Sequence, residues 1–187
     1  MTDHNSKTDQ RALELIWAPW RMAYIESCNE TVANAVDHSR FLPGADPGCF
    51  LCQAVADPEP PQRLVVYQDD LTVVVLNRYP YNNGHLLVAP RRHVGEFGDV
   101  ALPEHTALMG TINRMLGLLK EIMNPDGFNV GLNLGRVAGA GLPGHLHWHI
   151  VPRWSGDTNF MPVLANTKVI PQALEALWQL LRQKLIE

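Results

Sequence analysis

The chain has 187 residues, 46% of them apolar and 18% charged, and a formal net charge of −4. Those values suit one soluble globular domain with additional arms, long enough to bury a core. They argue against a non-specific nucleic-acid or membrane binder, and no run approaches the ~20 apolar residues that span a bilayer.

In chain order, residues 1–10 are polar, mixed in charge and without periodicity, so they are expected to be disordered. They lack the apolar stretch of a signal peptide, and the expected location is the cytosol. Leu15 to Ile25 contains Trp17, Trp20 and Tyr24, too aromatic for a solvated linker, and is read as a segment packed over the core. Residues 26–47 are loop, with Pro43-Gly44 and Pro47-Gly48. Cys49-Phe50-Leu51-Cys52 then opens a short helix through Ala56. In a cytosolic protein such a cysteine pair points to metal binding or redox chemistry, and Cys28 remains an ordinary thiol.

Leu64–Gln68 and Leu71–Asn77 read as an antiparallel pair turning at Asp69-Asp70. Tyr79 to Gly84 is a turn by composition, and His85–Ala89 a third strand stopped by Pro90. Pro103 suits the first turn of a helix whose stripe is Leu108, Ile112, Met115, Leu116, Leu119, Ile122 and Met123. Phe128–Leu134 is a fourth strand, with Asn129, Gly131 and Asn133 on one face. Pro171 starts a last helix carrying Leu174, Leu177, Trp178, Leu181 and Leu185. Strands and helices in this order, with hairpin-like connections, give an α+β fold with a mainly antiparallel sheet.

The chemistry concentrates in Gly144 to Arg153. His145, His147 and His149 alternate with Leu146, Trp148 and Ile150. Period two on a strand puts the imidazoles on one face and the apolar set on the other. Pro152 and Arg153 are expected to end that strand. Three imidazoles on one face make either a metal site or a nucleophilic and acid–base cluster. The preceding loop, Gly135 to Gly144, is glycine-rich. It can bring backbone N–H groups close to an anion, with Gly139 and Gly141 in the expected phosphate nest.

His145-Leu146-His147-Trp148-His149-Ile150-Val151 resembles the signature of the histidine triad superfamily of nucleotide hydrolases and transferases. Leu76 to Pro80, Gly84 to His93, and Gly127 to Asn133 with Gly135 are similar to other parts of the same pattern, so the resemblance covers roughly residues 48–153. The flanks, Trp17 to Ile25 and Arg153 to Pro162, resemble the actinobacterial branch of diadenosine tetraphosphate phosphorylases.

The resemblance implies a five-stranded antiparallel sheet with two main helices, dimerised, with an arm over 1–47 and the catalytic domain over 48–187. It implies a nucleotide substrate cleaved at an α-phosphate through a nucleotidyl-histidine intermediate, with His147 as nucleophile and His149 on the phosphoryl oxygens. His85 and His145 would support them, Asn77 would meet the ribose, Asn133 a phosphate, and Arg153 would add a donor. It also implies structural zinc on Cys49, Cys52, His93 and His145, and no organic cofactor. Gly141-Leu142 stands where hydrolase members of the family carry glutamine and a hydroxyl residue, which leaves room for inorganic phosphate as acceptor. His149 stands where the uridylyltransferase branch has glutamine, which argues against that activity. The alternatives are a hydrolase of dinucleoside polyphosphates or nucleoside phosphoramidates, a triad that binds catalytic metal, and a nucleotide sensor without turnover.

Overall fold

The computed structural model describes residues 36–157, 170 and 172–186. The expected N-terminal disorder, the Trp17–Ile25 segment, Cys28, most of the 1–47 arm, Pro171 and the stretch from Thr158 to Val169 lie outside the described residues.

Five strands form one antiparallel sheet: β1 (Val65–Gln68), β2 (Thr72–Leu76), β3 (Leu86–Pro90), β4 (Gly127–Leu132) and β5 (Trp148–Arg153). Their order is β1-β2-β3-β5-β4, so β5 sits between β3 and β4. The helices are α1 (Phe50–Ala56), α2 (Leu102–Met123) and α3 (Leu174–Ile186). The fold is α+β, as the sequence predicts, with two long α-helices and one short one among the described residues.

The β1–β2 turn is tied by Asp69, whose Oδ1 accepts from the N–H groups of Leu71 and Thr72. A carboxylate that caps two amides in this way satisfies a tight turn locally. The start of α2 is fixed by Pro103 in its first turn and by Glu104, which accepts from the Ala101 N–H while Arg92 pairs with its carboxylate. Asn124, at φ 43°, ends that helix in the left-handed region.

The predicted stripes face the core. Leu108, Ile112, Met115 and Leu119 of α2 and Leu177, Trp178 and Leu181 of α3 pack with Val74, Leu76, Leu86, Val88, Leu146 and Ile150 from the sheet. Each such side chain contributes about 1.5–3 kcal/mol on burial, and Trp178 also donates its indole N–H to Val65 O. The opposite sheet face is covered over β1–β3 by α1, where Leu51, Cys52, Ala54 and Val55 meet Val73, Val75, Leu87 and Ala89.

The start of the histidine strand differs from expectation. The histidine strand begins only at Trp148, so His145 to His147 precede it. Here the Leu146 N–H leaves the sheet to bond Val94 O at 2.7 Å, which ties the segment to the loop after β3. At the other end, Pro152 and Arg153 are the last two residues of β5, which stops where the sequence places its end. The β3–β5 ladder ends at the Leu86–Ile150 pair, so the missing N–H of Pro152 costs no bond on that side.

Candidate functional site

The alternation along 145–150 survives the shorter strand. Leu146 and Ile150 are buried in the helix-side core with Trp148 packed against them, and the three imidazoles take the other side. On that side His149 is level with Leu87 of β3 and Gly131 of β4. Glycine at 131 leaves the sheet surface beside the histidine flat.

His147 is buried, and its Nδ1 lies 2.8 Å from the carbonyl oxygen of His145. A carbonyl can only accept, so Nδ1 carries the proton and Nε2 keeps a lone pair. Burial pushes the imidazole below its ordinary pKa, so the ring is neutral near pH 7. A neutral imidazole held in one tautomer is a competent nucleophile.

His149 and His85 form a pair, His85 Nε2 to His149 Nδ1 at 2.9 Å, and the His147 and His149 ring centroids are 5.1 Å apart. His85 is fully buried, immediately before β3. The three residues predicted as the catalytic core, with His85 behind them, therefore meet.

Cys49, Cys52, His93 and His145 also come together, their ligand atoms all within 4.8 Å of one another. Cys49 caps α1 and Cys52 follows in its first turn, so the Cys-x-x-Cys spacing aims both sulfurs at one point. His93 Nδ1 is 3.2 Å from Cys52 Sγ, and His145 Nδ1 is 3.3 and 3.5 Å from the two sulfurs. The Nε2–H of His145 donates to Pro90 O at 2.9 Å, which leaves Nδ1 as its ligand atom. Cys52 is held down at about 4, chiefly by the bond from Cys49, which is itself raised by that bond and by burial. The four residues could hold a metal ion. A tetrahedral site of two thiolates and two imidazoles needs ligand atoms about 3.4–3.8 Å apart; the three nitrogen–sulfur separations of 3.2, 3.3 and 3.5 Å lie near that range, and the whole set lies within 4.8 Å.

The remaining expected residues fall around this centre with different degrees of fit. Asn77 reaches His85 Nδ1 at 3.2 Å, while its Oδ1 accepts from the Tyr79 N–H. Asn133 follows Leu132, which forms the last rung of the β4–β5 ladder with Trp148, the neighbour of His147 in sequence. Gly139 has φ 92°, and its N–H turns back to Arg136 O while that of Ala140 bonds Gly135 O, so these two donors serve the loop itself. Gly141 is exposed, and Leu142 packs against the apolar cluster beneath α1. Arg153 shares the histidine face, but its guanidinium is held by both carboxylate oxygens of Asp157 and by Asn129 Oδ1.

Sequence patterns did not point to Gly95, Asn82 or Asp157. A Cβ at Gly95 would stand 2.7 Å from Pro143 O, so only glycine lets the 143–146 segment close against the loop after β3. The position of a glycine two residues after His93 was the one available clue. Asn82 donates to both Pro152 O and Asp157, which ties the β2–β3 turn to the end of β5. Gly95→Ala is expected to cost about 1–3 kcal/mol, seen as a fall of several degrees in thermal unfolding.

A HIT domain model matches residues 59–156. AP-4-A phosphorylase of Mycobacterium tuberculosis (strain CDC 1551 / Oshkosh) is 43% identical over 162 residues, 87% of this chain and 79% of that protein. The asymmetrical bis(5'-nucleosyl)-tetraphosphatase of Schizosaccharomyces pombe is 31% identical over 93 residues, half of each chain. Among solved structures, a Zn-bound histidine triad family protein from Mycobacterium smegmatis superposes with TM-score 0.59 at 26% identity, covering 74% of this chain and 93% of that one. A domain match over more than half the length, with a relative this similar along most of both chains, means that the protein belongs to the HIT domain family.

Proposed function

We propose that the protein is an enzyme that cleaves dinucleoside polyphosphates at an α-phosphate, with His147 as nucleophile and inorganic phosphate as acceptor. The observation that carries this is the His147 tautomer. With Nδ1–H given to the His145 carbonyl, Nε2 is the one nitrogen free to attack. A bond forms between Nε2 and the α-phosphorus as the bond from phosphorus to the bridging oxygen breaks, and that oxygen leaves with its electron pair on the departing nucleotide. A phosphate oxygen then attacks the same phosphorus and releases His147. The Nε2–H of His149 would donate to the phosphoryl oxygens as charge builds, and Asn133, just past the last β4–β5 rung, would add a further phosphate contact.

The choice of phosphate over water rests on the similarity to the mycobacterial AP-4-A phosphorylase. It rests also on Gly141-Leu142, which offers no polar side chain beside the histidines. Diadenosine tetraphosphate with phosphate should give ADP and ATP, and much less product when phosphate is left out. If AMP and ATP form at the same rate with or without phosphate, the enzyme is a hydrolase.

Zinc is the metal we assign to Cys49, Cys52, His93 and His145, because two thiolates with two imidazoles form a closed tetrahedral set. Bound there it would stabilise the fold. The arrangement offers no open position for substrate. Reduced thiols of this kind persist in the cytosol, where we place the protein. We also read it as a homodimer: β4 is an edge strand with Val130 exposed on it and Leu134 just beyond.

A further inference from the structure

Tyr81 lies in the turn between β2 and β3, four residues before His85. Its main-chain N–H donates to His85 Nδ1 at 3.0 Å, and Asn77 Nδ2 donates to the same nitrogen at 3.2 Å. With Nδ1 accepting, neutral His85 must carry its proton on Nε2. That Nε2–H is the donor to His149 Nδ1. His149 in turn must carry its own proton on Nε2. The placement of the proton on His149 is thus decided two residues away in space, by an amide of the turn.

The Tyr81 side chain acts on the same pair. Its ring centroid is 4.6 Å from that of His85 at an interplanar angle of 40°, and 5.7 Å from that of His149 at 20°, a stacked arrangement. The ring torsion of a histidine is broad and roughly two-fold. Rotation of His149 by half a turn would exchange Nδ1 for a carbon and break the bond to His85. A flat ring stacked on the imidazole opposes that rotation.

We propose that Tyr81 is a positioning residue for the triad, fixing the tautomer of His149 through His85 with its main chain and the orientation of His149 with its ring. The claim rests on the proposed phosphoryl chemistry only for what the oriented Nε2–H is used for. The geometry itself is present without substrate.

The test uses the full chain, labelled with 15N-histidine, and three variants: Tyr81→Phe, Tyr81→Ala and Tyr81→Leu. Imidazole nitrogen shifts are read without substrate, and kcat and KM are measured with diadenosine tetraphosphate and phosphate. Wild type and Tyr81→Phe should show His85 and His149 both protonated on Nε2, with kcat equal within about twofold. Tyr81→Ala should keep the His85 tautomer, because its amide remains, but give averaged shifts for His149. Its kcat should fall roughly 10- to 100-fold while KM stays within about threefold. Tyr81→Leu keeps apolar bulk without a flat face and should behave like Tyr81→Ala, which covers the case of an unstable alanine variant.

Unchanged His149 shifts in both the Ala and Leu variants would overturn the proposal. So would a rise in KM at constant kcat, which would make Tyr81 a substrate contact, or a Phe variant as impaired as Ala. If the expected shifts are found but wild type does not turn over a dinucleoside polyphosphate, the positioning stands and the reaction assignment fails.

Discussion

The His147→Asn variant is expected to lose roughly four to six orders of magnitude in turnover and still bind nucleotide. Asparagine can still donate a hydrogen bond toward the His145 carbonyl, but it has no ring nitrogen to attack phosphorus. Nucleotide affinity should survive, because recognition is spread over neighbouring groups that the substitution leaves in place. Rapid-quench measurement of adduct formation, with nucleotide binding followed by calorimetry, separates the two. A variant that retained near-normal turnover would remove His147 from the mechanism.

The second large effect concerns the cysteine and histidine cluster. Cys52→Ser should abolish stoichiometric zinc and destabilise the fold by about 4 kcal/mol or more, the linkage expected for a ligand a thousandfold above its Kd. For a chain of this length that corresponds to a drop of roughly 8–16 °C in Tm. Metal analysis and thermal unfolding check it, with His147→Asn as the control that keeps both metal and stability. Full zinc content in Cys52→Ser would show that the metal sits elsewhere. An unchanged Tm on chelation would show that the cluster is held by packing alone.

Much of this was legible in the residues because periodicity and turn chemistry are local. The apolar stripes of α2 and α3, the Asp69 turn and the alternation of His145, His147 and His149 each need only a short window of sequence, and each is found in the fold. The family pattern names Cys49, Cys52, His93 and His145 together, and the fold brings the four into one cluster that could hold a metal ion. The start of β5 was misplaced because a contact distant in sequence, Leu146 N–H to Val94 O, competes with the sheet for the backbone. Arg153 shows the same limit. Its place on the histidine face follows from the alternation, but its partners Asp157 and Asn129 are set by tertiary packing. Tyr81 was out of reach for a related reason. Nothing in Tyr-Asn-Asn-Gly-His says that the amide of the first residue closes on the ring of the last.

His145 serves two neighbours with different parts of itself: its ring faces the sulfurs, and its peptide oxygen holds the Nδ1 proton of His147. A peptide oxygen is common to all twenty residue types, so no substitution at position 145 deletes it. Changes there give up the ring's contacts with the two sulfurs and with Pro90 O at a fully buried position, while the oxygen keeps its place if the 143–146 backbone stays where Gly95 and Val94 seat it. A variant that replaced the imidazole at 145 with packed hydrocarbon would therefore keep the carbonyl that holds the Nδ1 proton of His147.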